Sequence, residues 1–194
     1  MNLIEKPRIG IIAPSIAKKP WGGLEYQVFH LVKNLDIDPV FIFEEEPSPA
    51  LDVSYQVVLP RNLEKTAFEL RSSIIRDRIK GFILFSSWDA DSWLDVFKRL
   101  PDVPLLYSER SCPELVIERW DEFRRRELLE RANKIHMFYK EYSKVGHGSE
   151  VDRKRISEKI FYFPNVPFKF YSSKMEFLYA GAINRYPKRV DLQY

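Results

Sequence analysis

Residues 8–35 read RIGIIAPSIAKKPWGGLEYQVFHLVKNL, and this stretch decides the fold. Arg8–Ala13 is apolar at successive positions, which is typical of a parallel strand buried on both faces. Apolar residues then recur at helical spacing over Gly23–Leu35, which predicts a helix packed on that strand.

The same alternation of short strands and longer helices continues along the chain. Strands are predicted at Pro39–Phe43, Tyr55–Leu59, Gly81–Phe85, Val103–Tyr107, Ile135–Tyr139 and Ile160–Phe163. Helices are predicted at Leu63–Ile79, Asp91–Leu100, Glu114–Ala132 and Glu141–Val145. This pattern favours an α/β fold, a Rossmann-like parallel sheet with helices on both faces.

The pattern changes after Gly146. Gly146–Lys159 is charged and contains glycines, and we interpret its cluster Arg153-Lys154-Arg155 as a solvated linker face, with a weak anion site as the alternative. Met175–Ala180 then begins what resembles another unit. We therefore expect a first domain over residues 1–165 and, over 166–194, a linker and the start of a second domain that is truncated.

Composition excludes several classes of protein. The single cysteine, Cys112, cannot form an internal disulfide, and without a CxxC pair or a His/Cys cluster we expect no structural metal. Neither a signal peptide nor a membrane-spanning run is visible, which favours a cytoplasmic protein. Residues 140–194 carry 11 Lys and Arg against six Asp and Glu, so contact with a membrane surface and plain solvation are both open.

Ligands of open parallel sheets bind beyond the carboxyl ends of the strands, so the loops after the strands hold the candidate site residues. Gly22-Gly23 at the head of the first helix would let a phosphate approach its unpaired amides, although such a pair also makes an ordinary tight turn. The spacing is not that of a dinucleotide fingerprint or a phosphate loop of nucleotide hydrolases.

Two further loops carry acid, base and anion-binding candidates. Asp89, Glu109 and Arg110 are placed for acid–base work or for clamping an anion, and helix capping is the alternative for the aspartate. His136 lies in a predicted buried strand and is expected to be a satisfied core residue. The helical stretch ERWDEFRRRELLER, residues 118–131, is interpreted as a solvated amphipathic helix.

Four segments in order resemble the retaining GT-B glycosyltransferases of family 4, also called group 1. They are RIGIIAPSIAKKPWGGLEYQVFHLVKNL, RANKIHMFYKEYSKVG, KIFYFPNVPF and FLYAGAINRYPKRVDL. The first is similar to the opening of the acceptor domain, and the last is similar to the phosphate-binding loop of the nucleotide-sugar domain. The resemblance implies the N-terminal half of a GT-B fold with only the first strand and loop of the donor domain.

The resemblance also implies roles for individual residues. It puts Gly22, Gly23 and Lys188 at the donor diphosphate, with Arg185 or Arg189 as a substitute for the arginine that the family carries there. From their positions after predicted strands, Glu109, Arg110 and Asp89 are the catalytic candidates, and the acceptor cleft is expected to include Ser87, Trp88 and Ser108. The chain departs from the family at Ala182, where an arginine is usual, and at Val166 in the PNG turn.

The expected activity is transfer of a hexose from a nucleotide-diphosphate sugar to a hydroxyl, with retention and without a cofactor or metal. A carbohydrate or lipid-linked acceptor and a complementary donor-domain chain would be the partners. The alternative is a non-catalytic binding module derived from a truncated glycosyltransferase, with homodimerisation as a corollary. The basic excess is too modest, and too poor in aromatic pattern, to favour nucleic acid.

Overall fold

The computed structural model has a single seven-stranded sheet in which all the described strands are parallel. The structure describes residues 6–13, 16–17, 23–48, 51–58, 62–85, 90–109, 122–137 and 150–162. The strands are β1 (Arg8–Ile12), β2 (Asp38–Phe43), β3 (Tyr55–Val57), β4 (Gly81–Leu84), β5 (Leu105–Ser108), β6 (Lys134–Met137) and β7 (Ile160–Tyr162). The helices are α1 (Gly23–Lys33), α2 (Leu63–Arg76), α3 (Ala90–Phe97), α4 (Glu122–Arg131) and α5 (Glu150–Ser157).

The strands lie in the order β3-β2-β1-β4-β5-β6-β7, so the sheet grows in both directions from its centre. The chain moves outward from β1 to β3, then returns through α2 to β4 beside β1. Since crossovers between parallel strands are right-handed, a reversal of direction transfers the following helices to the opposite face. The predicted α/β class with helices on both faces is therefore confirmed.

Two hydrophobic cores, one on each face, show this division. Ile11 packs with α1 residues such as Val28 in one core, whereas Ile12 packs with residues of α2 to α5 in the other. Both isoleucines are fully buried. This explains why the first strand is apolar at consecutive positions rather than at alternate ones.

Gly10 sits where β1 meets β4 and allows the side chain of Phe82 to cross the strand. A Cβ atom at Gly10 would lie 2.5 Å from Cδ1 of Phe82, closer than non-bonded carbons can approach. Phe82 is itself buried and packs edge-on against Phe97 of α3. The centre of the sheet therefore depends on a residue without a side chain at this position.

All seven predicted strands are present, with ends that differ by one or two residues. β5 shows the clearest difference, because it begins at Leu105 and not at Val103. The amide of Val103 instead donates to the carbonyl of Pro101 in a tight turn. The predicted helix Glu141–Val145 and the predicted strand Met175–Ala180 lie outside the described residues.

The interpretation of the cluster Arg153-Lys154-Arg155 as part of a linker was wrong, because these residues lie in the helix α5. Ile156 is fully buried in the core and anchors the helix. Lys154 and Arg155 are exposed, and Nη2 of Arg155 contacts Oε1 of Glu130 at 3.0 Å. The sequence of α5 has two aliphatic residues, Val151 and Ile156, among charged ones, so it shows little helical periodicity and the helix was not predicted.

Candidate functional site at the carboxyl edge of the sheet

The direction of the chain reverses between β1 and β4, which creates the point where open α/β sheets bind ligands. Ala13 follows β1 and Phe85 follows β4, and both are buried. The amide of Phe85 donates to the carbonyl of Ile12 at 2.8 Å, which holds the two strand ends together. Gly23 begins α1 after the same strand end, so the first amides of that helix belong to this edge.

Three of the candidate residues predicted from the sequence lie in described positions. Gly23 is the first residue of α1, Ser108 is the last residue of β5, and Glu109 follows it directly. The remaining candidates lie outside the described residues, and their roles stay predictions: Gly22, Ser87, Trp88, Asp89, Arg110, Arg185 and Lys188.

Ser108 and His136 link β5 to β6 on the face of the sheet that also carries α1. Ser108 Oγ lies 2.9 Å from His136 Nδ1, and the two residues are register partners on neighbouring strands. Ser108 is fully buried and His136 is 5% exposed, while the ring of Phe161 stacks on the imidazole at 5.3 Å. The expectation that His136 is a satisfied core residue is confirmed. Burial makes this pair a cross-strand hydrogen bond rather than an exposed nucleophile and base.

Glu109 forms a buried ion pair with Arg125 of α4. Oε2 of Glu109 lies 3.5 Å from Nη2 of Arg125, and both side chains are 0% exposed. The amide of Glu109 also donates to the carbonyl of His136 at 3.0 Å, which extends the β5–β6 ladder past the end of β5. The chain immediately after β5 is therefore fixed by a main-chain bond and by a charge pair.

The interpretation of residues 118–131 as a solvated helix was wrong for Arg125. Arg125, Leu128, Leu129 and Ala132 follow one another at helical spacing, and all four are fully buried. The signal was present in the sequence, because the arginine occupies a position of the apolar stripe. An arginine in such a stripe requires a buried anion, and Glu109 supplies it.

The helices α3 and α4 share one hydrophobic core and are also joined by ion pairs. Arg124 contacts Asp95 at 2.9 Å, and Lys98, which directly follows α3, contacts Glu127 at 2.8 Å. These contacts bind α4 to α3 and so hold Arg125 in place.

Within the described residues, no group of three or more His, Cys, Asp or Glu side chains could hold a metal ion. The described helices include none with the length and apolar character needed to cross a bilayer. No protein-family model matches the sequence, and no curated protein matches it.

Proposed function

We propose that the chain is a glycosyltransferase of the GT-B type whose Rossmann-like domain binds the acceptor. The reaction is transfer of a hexose from a nucleotide-diphosphate sugar to a hydroxyl, with retention. The observation that carries the proposal is the reversal of strand order between β1 and β4, with α1 beginning at Gly23 beyond the end of β1. Ligands of open parallel sheets bind at such a point.

The donor diphosphate is assigned to the head of α1. The first amides of a helix and the positive end of its dipole favour a phosphate by about 1 kcal/mol. In the sequence resemblance, Lys188 and Arg185 add positive charge to the same diphosphate. Departure of a nucleoside diphosphate needs such charge on its oxygens, and side-chain cations can supply it.

The acceptor is assigned to the loops that follow β4 and β5. Ser87, Trp88 and Asp89 follow β4 in the sequence, and Ser108, Glu109 and Arg110 end or follow β5. Both strands are parallel neighbours, so their carboxyl ends open on one edge. Through its pair with Arg125, Glu109 would fix the direction in which the chain leaves β5 towards the acceptor.

A cytoplasmic location, with contact to a membrane surface through basic residues of 140–194, accompanies this proposal. The single cysteine suits a reducing compartment, and the basic excess suits an anionic surface. A lipid-linked acceptor would be presented at that surface.

Calorimetric titration with UDP-glucose and GDP-mannose tests the binding step. We expect saturable binding that Gly23→Val weakens at least about tenfold, because side chains at the helix head would obstruct a diphosphate. Lys65→Gln, which changes an exposed residue of α2, is the control and is expected to bind as the unsubstituted chain does. Absence of binding to either nucleotide sugar contradicts the proposal.

Transfer is tested in a separate assay with the same two donors. The assay is run with the purified chain alone and again after a complementary donor-domain chain is added. Release of nucleoside diphosphate that depends on an acceptor saccharide is the expected result. If the chain binds the nucleotide sugar but shows no turnover under either condition, the proposed transferase activity is excluded.

A non-catalytic binding module is the second candidate, and the burial of Glu109 favours it. A carboxylate that is 0% exposed and paired with Arg125 does not reach a substrate in this arrangement. Nucleotide-sugar affinity without hydrolysis or transfer supports this candidate, and turnover by the purified chain excludes it.

A further inference from the structure

A cleft of about 470 Å³ lies at the opposite edge of the sheet, where β1, β2 and β4 begin and α2 ends. Five basic side chains line it: Lys6, Arg8, Arg76, Arg78 and Lys80. The carboxylates in its lining are Asp38 and Asp77. This amino edge is remote from the edge to which the nucleotide sugar is assigned, since the two lie at opposite ends of the same strands.

Three of the five cations already have carboxylate partners. Arg8 contacts Oδ2 of Asp38 through Nε and Nη2, both at 2.7 Å. Arg76 forms a two-point pair with Asp77 at 3.0 and 2.7 Å. Lys6 contacts the exposed Asp36 at 2.9 Å, outside the cleft.

The other two cations that line the cleft are Arg78 and Lys80. Both are exposed, and among the residues that the structure describes no ion pair or side-chain hydrogen bond involves either of them. Two uncompensated positive charges two positions apart in a concave surface attract anions, because a cleft concentrates the field of the charges that line it.

The short connection that carries these cations is fixed at both ends. The amide of Asp77 donates to the carbonyl of Ser73 and closes the last turn of α2. Lys80 donates its amide to the carbonyl of Arg8 at 2.9 Å and so joins the start of β4 to β1. Arg8 also donates through Nη1 to the carbonyl of Asp77 at 3.4 Å.

Arg78 itself has a φ of 54°, in the left-handed region that favours glycine. It is the one non-glycine residue with a positive φ in the described part of the chain. A glycine at this position would relieve the backbone but would remove the guanidinium. An arginine held in an unfavourable conformation at the mouth of a cleft points to a function for its side chain.

The C-terminal end of the α2 dipole opposes an anion here, but its effect is confined to the last turn. Arg76 lies in that turn and offsets it. Arg78 and Lys80 lie beyond the end of the helix, where the opposing field is weakest.

We propose that this amino-edge cleft binds a phosphate-bearing anion, gripped by the guanidinium of Arg78 and the ammonium of Lys80. A guanidinium offers two parallel N–H donors that match two oxygens of a phosphate, and an ammonium adds a point charge beside them. The carboxylate of Asp77 accepts two hydrogen bonds from Arg76 and forms no ion pair with Arg78 among the described residues. The site is separate from the proposed nucleotide-sugar site and does not depend on it.

Calorimetric titration of the full chain with inorganic pyrophosphate tests the proposal. We expect saturable binding that weakens as salt is raised, and a loss of about tenfold in affinity for each of Arg78→Gln and Lys80→Gln. The control is the double variant Lys65→Gln/Lys154→Gln, which removes the same charge from exposed positions elsewhere and is expected to change affinity less than about twofold. Equal loss in the control and in Arg78→Gln/Lys80→Gln overturns the site, because it shows only a response to net charge.

Arg78→Gly separates ligand binding from folding. It removes the guanidinium and relieves the positive φ, so we expect a higher midpoint of urea unfolding together with at least about a tenfold loss of pyrophosphate affinity. Unchanged affinity in this variant overturns the assignment to Arg78.

Vesicles distinguish the source of the phosphate. Co-sedimentation with phosphatidylcholine vesicles that contain phosphatidic acid, lost in Arg78→Gln/Lys80→Gln, assigns the site to a lipid headgroup. Binding of pyrophosphate without binding of vesicles assigns it to a soluble phosphate. Binding of neither overturns the proposal.

Discussion

At the carboxyl edge of the sheet the charges of Glu109 and Arg125 are fully buried against each other, whereas at the amino edge Arg78 and Lys80 are exposed and without a carboxylate among the described residues. Burial makes the first pair a condition of folding, since neither charge is stable there alone. Because the charges of Arg78 and Lys80 are exposed, they contribute little to the free energy of folding and are accessible to a ligand. Charged side chains therefore serve stability at the carboxyl edge and ligand binding at the amino edge.

The largest expected effect comes from breaking the buried pair. Glu109→Ala leaves Arg125 as an uncompensated buried charge, so the free energy of unfolding should fall by about 3 to 5 kcal/mol. Urea unfolding followed by circular dichroism measures it. Arg124→Ala, which breaks the half-exposed contact with Asp95, is the matched control and should cost less than about 1 kcal/mol. A similar small loss for Glu109→Ala would contradict the account of this edge.

Replacing both partners sharpens the same comparison. Glu109→Met combined with Arg125→Leu removes both charges and keeps the volume, so this variant should be close in stability to the unsubstituted chain. A double variant as unstable as Glu109→Ala would show that packing, and not the unpaired charge, causes the loss.

The next effect concerns the centre of the sheet, which holds both edges in place. Gly10→Ala puts a methyl group into the ring of Phe82, and the strain should cost about 1 to 3 kcal/mol. Because β1 and β4 contribute to both edges, we expect affinities for UDP-glucose and pyrophosphate to fall together in this variant. A fall in only one of the two affinities would show that the other edge does not depend on the contact between Gly10 and Phe82.

Ser108→Ala should have a moderate effect. It leaves the buried Nδ1 of His136 without its hydrogen bond to Oγ, at a cost of about 1 to 2 kcal/mol in the free energy of unfolding. Ser72→Ala removes a hydroxyl that donates to the carbonyl of Phe68 in the same helix, and it should change the free energy of unfolding by less than about 0.5 kcal/mol. An equal loss of unfolding free energy in the two variants would show that the hydrogen bond between Ser108 and His136 does not stabilise the fold.

The smallest expected effect is the pH dependence at the amino edge. Hydrogen bonds from Arg76 lower the pKa of Asp77 in the folded chain from its ordinary value. Its contribution to stability is therefore present above the ordinary pKa of an aspartate and is lost as the pH falls through the lower pKa of the folded chain. Asp77→Asn should cost less than about 1 kcal/mol near neutral pH, because Arg76 is 62% exposed. The difference should vanish in acid, and a constant difference in urea unfolding across this range would contradict the assignment.

The sheet was predictable because its strands carry their own signal. Ile11 and Ile12 are buried on opposite faces, and a strand that is apolar on both faces has few other interpretations. The helix α5 gives no such pattern, because its sequence has two aliphatic residues, Val151 and Ile156, among charged ones. Arg125 had a signal in its helical spacing with Leu128, but the identity of its partner depends on how α4 packs beside the end of β5.

The amino-edge cleft could not be predicted from the sequence for a topological reason. Arg8 and Lys80 are far apart along the chain and become neighbours only because β4 returns to the side of β1. The positive φ of Arg78 leaves no trace in composition or periodicity. At the carboxyl edge, by contrast, Gly23, Ser108 and Glu109 were selected directly from their positions after predicted strands.

Amide chemical-shift mapping during titration with UDP-glucose tests the central claim most directly, since it reports which edge of the sheet the nucleotide sugar contacts. The account predicts saturable shifts at Ala13, Gly23, Phe85 and Glu109 that persist in Arg78→Gln/Lys80→Gln, the variant that lacks both cations of the amino-edge cleft. Shifts from UDP-glucose that are confined to Arg78 and Lys80, or no saturable shifts at all, would contradict it.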